Sequence, residues 1–233
     1  MIPMILAIDS SSLVASVAIM NEDVMIAEYT TNLKKTHSQT LLPMIDEIFK
    51  MTGVDKRETK AVAVTCGPGS FTGLRIGGAT AKGIALAYDI PIIPVPTLEA
   101  MAYNFNYSDK IICPIMDARR NQVYTGVYRC RKNELEVISD TRAMDINDLL
   151  NELKGHGEDV VFVGDGIPVY KDVIAESLSD KALFAGPHMN RQKAGSVGTL
   201  GLIYLKQGKT VDGDEFAPVY YRLSQAERMK GKG

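Results

Sequence analysis

Tryptophan is absent from the 233 residues, and cysteine and histidine occur only three times each. Cys66, Cys113 and Cys130 are odd in number and form no C-x-x-C pair, which argues against a structural zinc or a disulfide framework and for a reducing compartment. His37, His156 and His188 are far apart and show no ligand spacing, so each reads as a surface or capping residue. No apolar run approaches the roughly 18 residues needed to cross a bilayer. The first residues enter a strand-like segment without a charged leader, so the chain reads as cytoplasmic, with no membrane partner. An excess of one charge sign is also missing. The net charge of −2 leaves no overall electrostatic footprint for nucleic acid. The local basic clusters, at 119–120, 129–132 and 228–232, read as solvated turns or a frayed end. What remains is an ordinary globular composition, 45% hydrophobic and 23% charged, at a length that suits one large domain or two small lobes.

The most informative segment is Thr65-Cys66-Gly67-Pro68-Gly69-Ser70-Phe71-Thr72-Gly73-Leu74-Arg75. It follows an apolar strand-like run at 61–64 and precedes a helix-like stretch of small residues. A strand, a glycine loop and a helix start place backbone N–H groups beside the positive end of a helix dipole, where an anion is stabilised. Gly67, Gly69 and Gly73 permit close backbone approach, and Ser70 or Thr72 can cap the helix. The alternative is a tight strand-to-helix turn that binds nothing. No Gly-Lys-Ser/Thr closes the loop, and its Gly-x-Gly-x-x-x-Gly spacing is not the dinucleotide fingerprint.

The chain reads as two copies of one plan. Residues 4–8 form a strand ending at Asp9 and a hydroxyl-rich turn, 14–20 and 24–29 return as strands, and a helix with a capping-box start at Thr36-His37-Ser38-Gln39 ends near Gly53. Pro43 inside that helix is expected to bend it. A strand at 61–65, a helix at 73–87, a strand at 90–95 and a helix from Thr97 complete the first copy. The polar 104–110 stretch reads as the boundary between lobes 1–104 and 105–233. The second copy starts with a strand at 111–116 ending at Asp117. Strands at 123–129 and 134–138, a helix at 145–154, a strand at 160–163 ending in Gly164-Asp165-Gly166, and helices at 168–178 and 194–206 follow. Asp9 and Asp117 thus occupy equivalent places. Two carboxylates facing a shared cleft would suit a magnesium–phosphate site, whereas singly each is a common Asx-turn residue.

The helix after the third strand carries more apolar surface than one sheet needs. Leu41, Leu42, Met44, Ile45, Ile48, Phe49 and Met51 span an arc of about 180°, against the roughly 100° that packing on its own sheet requires. The methionine edge, Met44 and Met51, is therefore assigned to a partner protein, since thioethers adapt to several surfaces. Gly77, Gly78, Ala81 and Ala85 on the 73–87 helix would let another helix approach closely. The expected interface set is Leu41, Met44, Ile45, Ile48, Met51, Gly77, Gly78, Ala81 and Ala85.

The duplicated strand–Asp–turn layout resembles the two-lobed actin-like (ASKHA) α/β fold, with duplicated mixed-sheet lobes. Within it the sequence is similar to the TsaB/YeaZ family, on Ile5-Leu6-Ala7-Ile8-Asp9-Ser10, His37-Ser38-Gln39-Thr40-Leu41-Leu42-Pro43-Met44-Ile45, the 67–77 string, Ile92-Ile93-Pro94-Val95-Pro96-Thr97-Leu98 and Gly164-Asp165-Gly166. The resemblance implies an accessory subunit in the synthesis of N6-threonylcarbamoyladenosine beside the tRNA anticodon. It implies a paralogous catalytic subunit (TsaD-type) and a small ATPase (TsaE-type) as partners, a possible homodimer when alone, tRNA contacted only through the complex, and no cofactor of its own. The paralogue's metal-binding His-x-x-x-His aligns here with Thr97 and Met101, poor ligands for a hard or borderline cation, so no catalytic or metal residues are expected. The paralogue's Gly-Gly adenosine turn resembles Gly164-Asp165-Gly166, where Asp165 enters the glycine pair. The implied nucleotide site, Asp9, Gly67, Gly69, Ser70, Thr72, Gly73, Asp117, Gly164, Asp165 and Gly166, is therefore read as degenerate. An actin-like-fold ATPase or small-molecule kinase, and a metallopeptidase, stand as the alternatives.

Overall fold

In the computed structural model of the chain, residues 3–132 and 134–222 are described; the basic stretch 228–232 lies outside them. The first half runs β1 (Met4–Asp9), β2 (Ala15–Met20), β3 (Met25–Thr31), α1 (His37–Thr52), β4 (Thr59–Gly67), α2 (Phe71–Tyr88), β5 (Ile92–Pro96) and α3 (Thr97–Tyr103). The second runs β6 (Ile111–Asp117), β7 (Gln122–Arg131), β8 (Glu134–Asp145), α4 (Ile146–His156), β9 (Val160–Val163), α5 (Ile167–Leu178), β10 (Ala182–Phe184) and α6 (Ala194–Lys206). The order of strands and helices is the same in both halves. So is the sheet: β3-β2-β1-β4-β5 in one and β8-β7-β6-β9-β10 in the other, with antiparallel hairpins on one side of the first strand and parallel strands on the other. This is the two-lobed actin-like fold with duplicated mixed sheets.

Strand alternation decides what each sheet face carries. In β1, Leu6 and Ile8 point to one side, where they pack with Val62, Val64 and the buried residues of α1 and α2. Ile5 and Ala7 point to the other, where α6 covers them through Ala194, Val197 and Leu200. In the second sheet Ile111, Cys113 and Ile115 of β6 meet α4 and α5. Its other face, with Ile112, Met116, Tyr128 and Val163, receives Leu98, Met101 and Ala102 of α3. The last helix of each half therefore lies on the sheet of the opposite half.

Local signals explain most element ends. Gly53 and Gly157 close α1 and α4 in the left-handed conformation, with φ of 69° and 68°. Asp145 caps α4 by accepting from the Asn147 N–H at 2.8 Å. The capping box expected at 36–39 does not form. Thr36 makes no side-chain cap, its carbonyl instead accepts from the Gln39 N–H at 2.9 Å, and its hydroxyl accepts from Ser38. The helix runs on through Pro43. Strand β8 continues to Asp145, seven residues beyond the expected Ile138, because it pairs along the full length of β7. The three-residue β10 is too short for its periodicity to be read from sequence.

The interface set is corrected here. Leu41, Ile45 and Ile48 are within 5% of full burial inside the first lobe. Met44 is half-buried against the same cluster. On α2, Ala81 and Ala85 belong to that core. A Cβ on Gly78 would lie 2.8 Å from the Phe216 ring, and one on Gly77 would collide with the Ser10 hydroxyl. The small-residue face of α2 is occupied by the chain's own turn and tail.

Two glycines on helices separate contact from propensity. A Cβ on Gly201 of α6 would stand 2.8 Å from the Ala63 Cβ, whereas one on Gly155 of α4 would meet nothing within 4 Å. Gly155→Ala should raise unfolding free energy by about 0.5–1 kcal/mol through helix propensity alone. Gly201→Leu should lower it by at least about 2 kcal/mol, by forcing α6 off the first sheet. Urea denaturation checks both; an unaffected Gly201→Leu variant would mean that α6 is not seated on that sheet.

Candidate functional site

The sequence places a hydroxyl turn after β1 and a glycine loop after β4, and because β1 and β4 are parallel neighbours the two loops emerge side by side. They are in direct backbone contact. The Ser70 N–H donates to the Ser11 carbonyl at 2.6 Å, and the Ser10 hydroxyl donates to the Gly73 carbonyl at 2.9 Å. A Cβ at Gly69 or Gly73 would collide with the carbonyl oxygens of Ser11 or Ser10. These glycines make room for another stretch of backbone. Ser70 is the N-cap of α2: its hydroxyl accepts from the Gly73 N–H at 3.3 Å and its carbonyl from the Leu74 N–H at 2.8 Å. Thr72 is exposed and takes no cap position. Of the four amides at the start of α2 that an anion could use, those of Ser70 and Gly73 are thus committed within the chain.

Asp9 and Asp117 carry the same local hydrogen bond. Asp9 Oδ1 accepts from the Ser11 N–H at 2.9 Å, and Asp117 Oδ1 from the Arg119 N–H at 2.8 Å, each an i to i+2 Asx turn. Their surroundings differ. Asp9 is 1% exposed, with the Ser11 and Thr65 hydroxyls donating to the same oxygen, while Oδ2 has no partner among the described residues. Burial pushes its carboxyl up to about 6, against the lowering effect of those donors. Asp117 is exposed at a turn whose Arg119, Arg120 and Asn121 all have φ near 60°. The Tyr170 hydroxyl also reaches Asp117 Oδ1, at 3.4 Å.

Between the lobes lies a cleft of about 680 Å³. Of the ten expected site residues, Gly69, Ser70, Thr72, Gly73, Asp117 and Asp165 line it. Asp9 lies beneath the wall. Gly67, with φ of 124°, is roofed by the Val219 carbonyl, and Gly164, with φ of 122°, backs onto the Ile115 carbonyl, where no Cβ would fit. Gly166 donates its N–H to that same Ile115 carbonyl at 3.0 Å. Asp165 is held in the cleft wall with its Oδ1 unpartnered among the described residues, and burial raises its pKa despite nearby Arg191. A carboxylate in that wall opposes a phosphate.

Residues unremarked by sequence pattern complete the site. His37, read as a surface or capping group, is 8% exposed. Its Nε2–H donates to the Ser12 carbonyl at 2.7 Å and Nδ1 has no partner among the described residues. Gln192, from the second half, accepts from the Ser12 hydroxyl at 2.9 Å. The tail residues Val219 to Arg222 line the same cleft. The position of His37 in the quoted family string was the one available signal; nothing comparable marks Gln192.

Thr97 opens α3, and Met101 lies one turn further along it. Thr97 is fully buried with its hydroxyl unpartnered among the described residues, and Met101 packs in the apolar cluster with Ile112, Met116 and Val163. That donor set does not suit a hard or borderline metal. Among the described residues no three His, Cys, Asp or Glu side chains are grouped to hold an ion, and no helix is long and apolar enough to cross a membrane. All three cysteines are buried and unbonded, and burial pushes Cys66 and Cys113 up to about 12 and Cys130 to about 11, so they are unreactive thiols.

The model of the family described as tRNA N6-adenosine threonylcarbamoyltransferase (TsaD) matches residues 25–230. The chain is 35% identical to the tRNA threonylcarbamoyladenosine biosynthesis protein TsaB of Bacillus subtilis strain 168, covering 96% of each chain. It is 31% identical to the TsaB of Escherichia coli K12, covering 98% of this chain and 99% of the relative. The solved structure of YeaZ from Pseudomonas aeruginosa superposes with a TM-score of 0.77 over 94% of this chain and 99% of that one, at 24% identity, and shows the same fold. The chain belongs to the TsaB (YeaZ) family.

The charge state of Asp9 gives a measurable signature. Its carboxyl binds a proton more tightly folded, at about 6, than at the unfolded value of 3.8, so the folded state loses stability as pH rises through that window. Asp9→Asn carries no such burden. The stability of Asp9→Asn relative to the native chain should climb between pH 4 and pH 7, by on the order of 2–3 kcal/mol. Urea unfolding at a series of pH values reads this; a flat difference would show that Asp9 titrates normally.

Proposed function

We propose that this chain takes part in tRNA threonylcarbamoyladenosine biosynthesis as a non-catalytic partner subunit, which binds and activates the paralogous threonylcarbamoyltransferase. The carrying observation is the contrast between its cleft and its outer helices. In the cleft the Ser70 and Gly73 amides are bonded to a carbonyl and a hydroxyl of the chain itself, and an acid stands in the wall. The apolar overflow lies outside instead: Leu42, Met51 and Leu86 are 57%, 67% and 81% exposed on α1 and α2. Large apolar side chains gathered on neighbouring helices mark a protein-binding surface. A paralogue with an equivalent helix pair offers a self-similar face, and a second copy could use it when the chain is alone.

The two edges of α1 are not equivalent. Met44 is packed into the core, so the edge that carries it is partly spent. On the other edge, Phe49 is covered and Leu42 is free. Lys56 ties that edge down by bridging Asp46 at 2.7 Å, with its ammonium over the Phe49 ring and within electrostatic reach of Tyr88 at the end of α2. The Leu42 edge therefore faces α2, and Leu42 and Leu86 flank the proposed surface. This moves the proposed contact from Met44 to Leu42 and Leu86 and leaves Met51, 67% exposed, on the opposite edge.

Leu42→Glu combined with Leu86→Glu should weaken association with the catalytic paralogue by about 100-fold or more, since central apolar anchors dominate such interfaces. Both positions are exposed, so the monomer should melt where the native chain does. Gel filtration and calorimetry of the purified pair decide it, and undiminished binding would place the interface elsewhere. The isolated chain should bind Mg-ATP no better than about millimolar, some 4 kcal/mol. It should also hold no stoichiometric zinc or iron by elemental analysis. Micromolar ATP binding lost in Asp9→Ala would revive the kinase reading, and one tightly held metal the peptidase reading.

A further inference from the structure

The segment after α6 does more than end the chain. Val211 forms an antiparallel bridge with Ile92 of β5, its N–H and carbonyl each bonded at 2.9 Å. Phe216, 2% exposed, is inserted into the first-lobe core over Gly78, where only the missing side chain leaves room for its ring. The Val219 N–H donates to the Cys66 carbonyl at 2.7 Å, and the Val219 carbonyl lies over Gly67. Tyr220 stacks on Phe71 with centroids 4.7 Å apart, and its hydroxyl accepts from Arg75 Nε at 3.0 Å. To this point every contact is with the first lobe.

The next two residues reach the second lobe. Arg222 Nη1 donates to the Ala118 carbonyl at 2.7 Å, at the turn between β6 and β7. Tyr221 lines the cleft together with Asp117 and Tyr124 of the second lobe. Residues 219–222 therefore cross the cleft, anchored by a buried phenylalanine on one side and by the Arg222 hydrogen bond on the other. That bond is part-exposed and made to a carbonyl at a turn, the kind of bond that opens locally while a core persists.

We propose that residues 219–222 are a latch that crosses the interlobe cleft and ties the two lobes together along it. The latch adds, at the cleft side, to the hold that the exchanged helices α3 and α6 already give the two lobes. It is a property of the isolated chain and stands or falls apart from the partner surface on α1 and α2.

The test removes the second-lobe hydrogen bond and leaves the anchor. In the full-length chain carrying Arg222→Ala, amide hydrogen exchange should rise by roughly tenfold or more at both lips of the cleft, 66–72 in the first lobe and 118–122 in the second. Protection in β1 and β6 should stay at the native level. Arg222→Lys, which keeps a donor for the Ala118 carbonyl, should retain most of the protection at 118–122. Unchanged exchange at both lips in the Arg222→Ala variant would overturn the latch. Loss of protection in β1 and β6 as well would overturn it equally, because these residues would then belong to the core.

Discussion

The structure depends on one burial requirement: four apolar sheet faces must be covered. Each half of the chain supplies a five-stranded sheet whose central strand is apolar on both sides, as Leu6 and Ile8 against Ile5 and Ala7 show. Two helices of each half cover the outer face. The inner faces meet between the lobes, and there α3 serves the second sheet while α6 serves the first. The exchange buries the inner faces without lengthening either half, and it joins the lobes more firmly than the polar connection at 104–110 could. Met101 and Thr97 are drawn into this buried seam, which is why a thioether and a methyl-bearing side chain suit these positions.

The same geometry sets the cleft. With β1 and β4 parallel, the Ser10–Ser12 turn and the glycine loop must pass within backbone contact, and glycine is required because any side chain would strike a carbonyl. Hydrogen bonding between the loops then uses the Ser70 amide, which could otherwise donate to a phosphate. Asp9 remains beneath, a buried carboxyl with one oxygen unpartnered among the described residues and a pKa raised to about 6. A buried acid that destabilises the fold near neutral pH is costly to keep. Its twin Asp117 makes the same turn in the open, so the turn itself does not require burial. The duplication is preserved in the hydrogen bond and broken in the environment.

Outside the cleft, physical chemistry favours contact with protein. Helix α1 spends Leu41, Ile45, Ile48 and Phe49 on its own core, half-spends Met44, and leaves Leu42 and Met51 in water. Helix α2 leaves Leu86. Its glycine and alanine face, inviting on paper, is filled by Phe216 and by the Ser10 hydroxyl. A small-residue stripe invites close approach without saying whose atoms approach.

The sequence by itself determined the architecture and the family. Alternating and continuous apolar runs marked nine of the ten strands among the described residues, Gly53 marked a helix end, and the strand–Asp–turn repeat marked the duplication, because each signal depends on residues close together in the chain. The glycine loop was legible as a place of close backbone approach, but its neighbour was not. Whether an anion or the Ser10–Ser12 carbonyls occupied it depended on parallel pairing between strands some fifty residues apart. Tertiary structure alone decided that α6 crosses to the first sheet, that His37 and Gln192 meet at Ser12, that small residues of α2 are already covered, and that the tail lines the cleft. Local pattern shows how much apolar surface or how many polar groups a segment must satisfy; only the packed fold specifies which distant segment satisfies them.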